Sequence, residues 1–182
     1  MKKVILIASI LFVAVASTAC INNLAVQDLN NKAKLYAAKG DYVQAIERLK
    51  SSIDLEPSIF ETHYNLGIAY IKAEKYSEAI NSFGKAIELS PNIIDVYYSL
   101  GVAHDSYAQE LLDNEDDKKV DVDSEDQPKL SKEQKKALAI ENYKNALNAY
   151  QKYLKMSKDN KDSDDVAEQI KSIEETLVEL EG

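Results

Sequence analysis

The chain is poor in the residues that build chemical sites. Its 182 residues hold one cysteine, no tryptophan, two histidines, three prolines and five glycines. A single cysteine excludes an internal disulfide. Two histidines, His63 and His104, without a fitted third ligand make a poor zinc site. No G-x-S-x-G, H-E-x-x-H or G-x-x-x-x-G-K run is present. These absences argue against an enzyme, and no catalytic residue, metal or cofactor is assigned. Positive charge is short as well. Lys and Arg number 22 against 31 Asp and Glu, a formal charge of −9. That balance argues against nucleic acid or anionic lipid headgroups as partners. The only long hydrophobic run, Val4 to Val15, is too short to span a bilayer comfortably. Few prolines and glycines, with eleven tyrosines, suit one compact all-helical domain.

What the chain does have is a repeat of 34 residues. Tyr36, Tyr42, Ala45 and Pro57 recur as Tyr70, Tyr76, Ala79 and Pro91. Tyr64, Leu66 and Gly67 recur as Tyr98, Leu100 and Gly101. A fixed period of this length means a stack of one supersecondary unit, which is a surface for holding another polymer. The middle copy reads His63, Leu66, Gly67, Tyr70, then Ala79, Phe83 and Pro91. It resembles the tetratricopeptide repeat, W-x2-L-G-x2-Y, A-x3-F, P, with His63 in place of the leading Trp. Leu66 and Tyr70 share a helical face. Gly67 leaves room for the neighbouring helix, and Pro91 closes the unit. The first copy is looser. Lys32 stands where Leu is expected, as a solvated end repeat allows, and Gly40-Asp41 makes the turn between its helices. The resemblance implies an all-α tetratricopeptide-type stack of helical hairpins, an α-solenoid. It has three repeats, at about 26–59, 60–93 and 94–157, and a capping helix at about 164–181.

The third copy is interrupted. Tyr143, Ala146 and Tyr150 are the counterparts of Tyr76, Ala79 and Phe83, but arrive 33 residues late. Within the insertion, at about 109–136, the stretch Asp113 to Asp126 is strongly acidic and reads as a solvated loop. Its flanks read as helix. Tyr107, Leu111 and Leu112 extend the preceding helix. Ser131 with Gln134 forms a capping box for a helix running to about Met156, with Ala137, Ile140, Tyr143 and Leu147 inward. The expectation is a helical hairpin tipped by an acidic loop. Asp121, Asp123 and Glu125 alternate like the start of a calcium loop. However, Asp126 replaces the turn glycine and Lys132 the bidentate Glu, so specific calcium binding is not expected. Val166, Ile170, Ile173, Leu177 and Leu180 give the capping helix its apolar stripe.

Residues 1–19 read as a secretory signal peptide. Lys2 and Lys3 precede the apolar run, and Ala16-Ser17-Thr18-Ala19 follows it. Cys20 comes directly after. Its placement resembles a bacterial lipoprotein signal, although Ser17 stands where an aliphatic residue is usual. The resemblance implies cleavage before Cys20, lipid on its sulfur, and a tether over residues 20–25. It implies an extracytoplasmic envelope protein held on the membrane by its anchor. With Ile21 rather than Asp next, the outer membrane is favoured in a two-membrane bacterium.

In tetratricopeptide arrays the first helices line the concave face. The resemblance places Gln27, Asn30 and Lys34 there from the first unit. The second contributes Glu61, Tyr64, Asn65, Ile68 and Ile71, and the third Asp95, Tyr98, Val102 and Asp105. This is a tyrosine and aliphatic strip edged by carboxylates. It suits a protein or peptide segment carrying apolar anchors and Lys or Arg. A carboxylate clamp of the co-chaperone type is not expected. Asn65 matches it, but Asp95 and Ser99 stand where Lys and Arg belong, and Asn30 and Lys34 reverse the first-unit order. The function that follows is a protein-interaction adaptor or assembly scaffold. The alternatives are a structural module of an envelope complex, working through its convex face or hairpin, and a cation-responsive acidic switch.

Overall fold

The computed structural model describes residues 23–113, 130–157 and 163–182. The signal segment, Cys20 and the Asp121, Asp123, Glu125 run lie outside the described residues. All regular structure among the described residues is helical: α1 over residues 23–38, α2 Tyr42–Leu55, α3 Phe60–Lys72, α4 Tyr76–Leu89, α5 Ile94–Asp113, α6 Lys132–Met156 and α7 Ser163–Glu181. None of these helices is long and apolar enough to cross a membrane.

Local chemistry sets the boundaries. Gly40 turns the chain after α1 at φ +77°, where a side chain would be strained. Asp41 then caps α2 by accepting the Gln44 amide at 3.1 Å. Helices α2 and α4 end at Leu55 and Leu89, and the cap residues Glu56 and Ser90 directly precede Pro57 and Pro91. Both cap residues have left the helical region, with φ −149° and −146°. The expected capping box opens α6: Ser131 Oγ accepts the Gln134 amide at 3.3 Å, and Gln134 Oε1 accepts the Ser131 amide at 2.8 Å.

Helices pair as α3/α4 and α5/α6, with α7 laid on α6; Ala33 of α1 shares an apolar cluster with Ala45, Ile46 and Leu49 of α2. The pairs close through a small residue facing a large one. A Cβ on Gly67 would lie 2.6 Å from the Phe83 ring, and one on Gly101 would lie 2.5 Å from the Tyr150 ring. In the first unit the corresponding residues, Ala33 and Leu49, are both buried in the same apolar cluster. Phe83 and Tyr150 are fully buried, and burial of a ring of this size contributes roughly 1.5–3 kcal/mol. Successive units are also tied by hydrogen bonds to proline carbonyls. His63 Nε2 donates to Pro57 O at 2.8 Å, and one period later Tyr97 OH donates to Pro91 O at 2.9 Å.

The core divides in two. One cluster joins α1 to α4 with the start of α5, and the other joins α5, α6 and α7. The third unit is the long one: α5 has 20 residues against 13 in α3, and α6 has 25 against 14 in α4. Ala108, Leu111 and Ala139 are buried along this extension, so the two helices zip together beyond the length of the other units. One expectation is corrected here. Ala137 faces solvent, and the buried stripe of α6 runs through Ala139, Tyr143, Ala146, Tyr150 and Tyr153. Its phase follows from Tyr150, which must lie on Gly101; counting back by turns reaches Ala139 and passes over Ala137. The stripe of α7 is as expected: Val166, Ile173 and Leu177 are buried, with Ile170 and Leu180 packed at its edges.

Candidate functional site: a tyrosine strip on the first-helix face

Helices α1, α3 and α5 meet through polar side chains. Asn30 Nδ2 donates to Thr62 Oγ1 at 3.1 Å, and Tyr64 OH lies 3.4 Å from Ser99 Oγ. These bonds hold the three first helices side by side and fix the spacing of the residues between them.

The two repeat-equivalent tyrosines are held differently. Tyr64 is half-buried. Its ring stacks on Phe60 at 6.0 Å and leans on Phe83 at 5.9 Å, while its hydroxyl reaches Ser99. Tyr98 is 42% exposed. It rests on two rings of α6, Tyr150 at 5.9 Å and Tyr153 at 5.5 Å. Ile68 and Val102 are half-buried beside them, each packed against its own cluster. Ile71 is also half-buried. Asn65 is half-buried, and Lys34, Glu61 and Asp95 are exposed. Glu61 and Asp95 sit in the first turns of α3 and α5. Gln27 is exposed and donates to Asn23 at 2.8 Å.

Asp105 does not edge the strip as expected. It is only 8% exposed and accepts from Gln109 Nε2 at 2.9 Å. Burial pushes its carboxyl above the usual range, partly countered by that hydrogen bond. Tyr143 and Tyr150 of α6, the counterparts of Tyr76 and Phe83, lie within electrostatic reach of Asp105. Next to it, His104 Nδ1 lies 2.7 Å from Asn142 Oδ1. Asn142 Nδ2 donates to Leu138 O at 2.8 Å, so its Oδ1 is left to accept and the His104 proton sits on Nδ1. Burial holds His104 below the ordinary histidine value; the Asn142 bond and Glu141 act in the other direction.

Among the described residues no group of three or more His, Cys, Asp and Glu could hold a metal ion. An open cavity of about 370 Å³ lies between α2 and α4 over His63 and Leu66, away from the tyrosine strip.

Comparison with known proteins bears on this arrangement. Residues 60–93 match the family model described as tetratricopeptide repeat, and residues 33–73 match the one described as TPR repeat. Both matches end ahead of the interrupted third unit. No curated protein matches the chain in sequence. Among solved structures the chain is similar to the first TPR of Spaghetti (RPAP3) bound to the HSP90 peptide SRMEEVD. The TM-score is 0.60 at 17% identity, covering 85% of this chain and 94% of that one. It is also similar to the Sgt2 TPR domain of Aspergillus fumigatus, with TM-score 0.57 and 15% identity over 85% of this chain and 80% of that. A third is the TPR2B domain of yeast Sti1 in its pHsp70 complex, with TM-score 0.54 and 17% identity over 84% and 98%. The fold is a TPR-type helical solenoid.

Proposed function

We propose that the chain is a lipid-anchored, extracytoplasmic adaptor or assembly scaffold of a bacterial cell envelope. It holds a protein segment along the strip of Tyr64, Ile68, Tyr98 and Val102. The observation that carries this reading is Tyr98, which is exposed on one face while two rings fix it from behind. A large side chain already ordered in the free protein loses little entropy on binding, so more of its contact energy becomes affinity. Tyrosine is also enriched where protein partners meet.

Charge sets the kind of segment. The Spaghetti domain is bound to a peptide ending in acidic residues. Here Glu61 and Asp95 edge the strip, and by the repeat pattern Asp95 and Ser99 stand where a carboxylate clamp has its cations. An acidic terminus would meet like charge. A segment with apolar anchors and Lys or Arg fits instead. The anchors supply most of the affinity, and the carboxylates set on-rate and orientation.

The anchor rests on sequence. Cys20 directly follows Ala19 behind the short apolar run. Lipid on its sulfur accounts for a lone cysteine in an exported chain, and more than one acyl chain gives stable anchoring. Metabolic labelling with a fatty-acid analogue tests it. The protein takes up label and Cys20→Ala does not; an unlabelled wild-type protein that partitions into the aqueous phase of detergent contradicts the anchor. The strip is tested separately, by a photo-crosslinking residue at position 98 in native envelopes. It captures a protein through a basic, apolar segment, and the yield falls with salt. Capture only from a crosslinker at Lys85, on α4, points to the structural-module reading.

A further inference from the structure

The two ends of the stack are finished differently. At the C-terminal end α7 covers α6 and turns outward Asp164, Asp165, Glu168, Glu174, Glu175 and Glu179, with Lys171 among them paired to Glu175 at 3.8 Å. At the N-terminal end no helix among the described residues covers α1. The repeat shows what sits at a unit junction. Ala69 and Ala103 are buried to 4% and 0% exposure, and their counterpart in α1 is Leu35, at 63% exposed. Leu24 is 70% exposed and lies eleven residues earlier on α1. Eleven residues bring a helix back to within about 20° of the same direction, so the two leucines share one stripe. Between them Asp28 and Lys32 form an ion pair of 2.6 Å. Lys39, just past the end of the helix, adds positive charge. The outer side of α1 is thus a two-leucine stripe across a paired charge, bordered by lysines, on a chain that is acidic overall.

Resting on the lipid-anchor reading above, we propose that this outer face of α1 is a membrane-surface site. The helix lies flat on the headgroups, with the solenoid standing away from the bilayer and α7 distal. The first argument is the tether. Only residues 21 and 22 separate Cys20 from the described start of α1, so that end lies within about 10 Å of the anchor. Leu24 is then held close to the interface. Leu35 lies about 16 Å further along the axis, and it shares that surface only when the helix lies down. The second argument is charge. Lysine stems cover apolar surface while their ammonium groups stay with the phosphates. The carboxylates of α7 belong to the far end of the stack, beyond a Debye length of about 10 Å, and are screened from the headgroups. Overall charge alone, which argues against anionic headgroups as partners, averages over this difference between the ends.

The test uses the absence of tryptophan. Leu35→Trp and Val178→Trp, each exposed in the native chain, give single-tryptophan proteins that report opposite ends. The mature chain is coupled through its Cys20 thiol to a maleimide lipid. The host vesicles are brominated phosphatidylcholine with a minority of phosphatidylglycerol. The chemical anchor keeps the outcome independent of whether cells lipidate Cys20, which the labelling experiment decides. The expected result is a blue shift of Leu35→Trp on tethering and loss of more than half its emission to the bromines. Val178→Trp stays unshifted and unquenched. Adding Lys32→Glu and Lys39→Glu to Leu35→Trp reduces the quenching. A Leu35→Trp emission that is not quenched overturns the proposal. If it shifts blue without quenching, the stripe is covered by a second copy instead. Equal quenching at both ends also overturns it.

Discussion

The second and third units share a period and differ in what stands behind it. Gly67 and Gly101 each make room for a ring, Phe83 in one unit and Tyr150 in the other. One turn further the match ends, because Ala86 has Tyr153 as its counterpart. The small Ala86 leaves Tyr64 free to settle beside Phe83 and reach Ser99. The large Tyr153 stands under Tyr98 and holds it out. The equivalent tyrosines of the two first helices thus differ in exposure, and they differ in the residue that the second helix sets beside them.

The glycines give the largest expected effect and the sharpest check that the units are alike up to that point. Gly67→Val and Gly101→Val should each cost on the order of 1–3 kcal/mol, because the facing ring has no room to withdraw. Chemical denaturation measures this. Pairing each with a smaller partner, Phe83→Leu or Tyr150→Leu, should recover part of the loss. If one valine destabilises and the other does not, the two junctions are not equivalent.

A smaller effect extends the comparison to the turns. Gly40 and Glu74 are one period apart, and both have positive φ, +77° and +58°. Glu74 bears the strain that Gly40 avoids. Glu74→Gly should stabilise by about 0.5–1 kcal/mol, and Gly40→Ala should destabilise by about 1 kcal/mol. Thermal unfolding of the two variants reads opposite signs.

The smallest effect separates the third unit from the second by pH. His104 and Asp105 stand where the second unit has Tyr70 and Ile71. The His104 pKa is lowered in the fold. Its contribution to stability is therefore present above the ordinary value of 6.5 and is lost as pH falls through that value toward the folded one. Asp105 is raised, so it contributes stability below the ordinary carboxylate value of 3.8 that is lost as pH rises through its folded pKa. Asp105→Asn should raise the melting temperature at neutral pH and change nothing below that carboxylate range. His104→Gln should flatten the decline between neutral pH and mild acid. A pH profile unchanged by both would remove the third unit's titrating pair from the account.

Much of this architecture could be read from the chain, and the residues show why. The Ser131 capping box, the end of α6 at Met156 and the close approaches at Gly67 and Gly101 follow from local chemistry or from the period. The positions of Asp105 and Ala137 did not follow. Ala137 lies where the long α6 runs beyond the ordinary unit, with no second copy to set its phase. Asp105 lies inside the unit, where its counterpart Ile71 is half-buried, but a carboxylate at that position gives no apolar signal of burial. The unequal exposure of Tyr64 and Tyr98 was hidden because Tyr153, the ring beside Tyr98, lies outside the repeat motif. The proline-carbonyl bonds of His63 and Tyr97 did leave a signal. A ring with a polar tip stands six residues after Pro57 and again after Pro91.

The central claim is that Tyr98, held out by α6, anchors a basic and apolar segment. Its most direct measurement is the affinity of a peptide with apolar anchors spaced by Lys and Arg, compared with a twin carrying Glu at the charged positions. It is read against the wild type, Tyr64→Ala and Tyr98→Ala. The account predicts that the basic peptide binds better than its acidic twin. Tyr98→Ala should weaken it by at least about tenfold with the helical spectrum intact, and Tyr64→Ala by less. Equal binding of the two peptides, or an unchanged affinity in folded Tyr98→Ala, contradicts it.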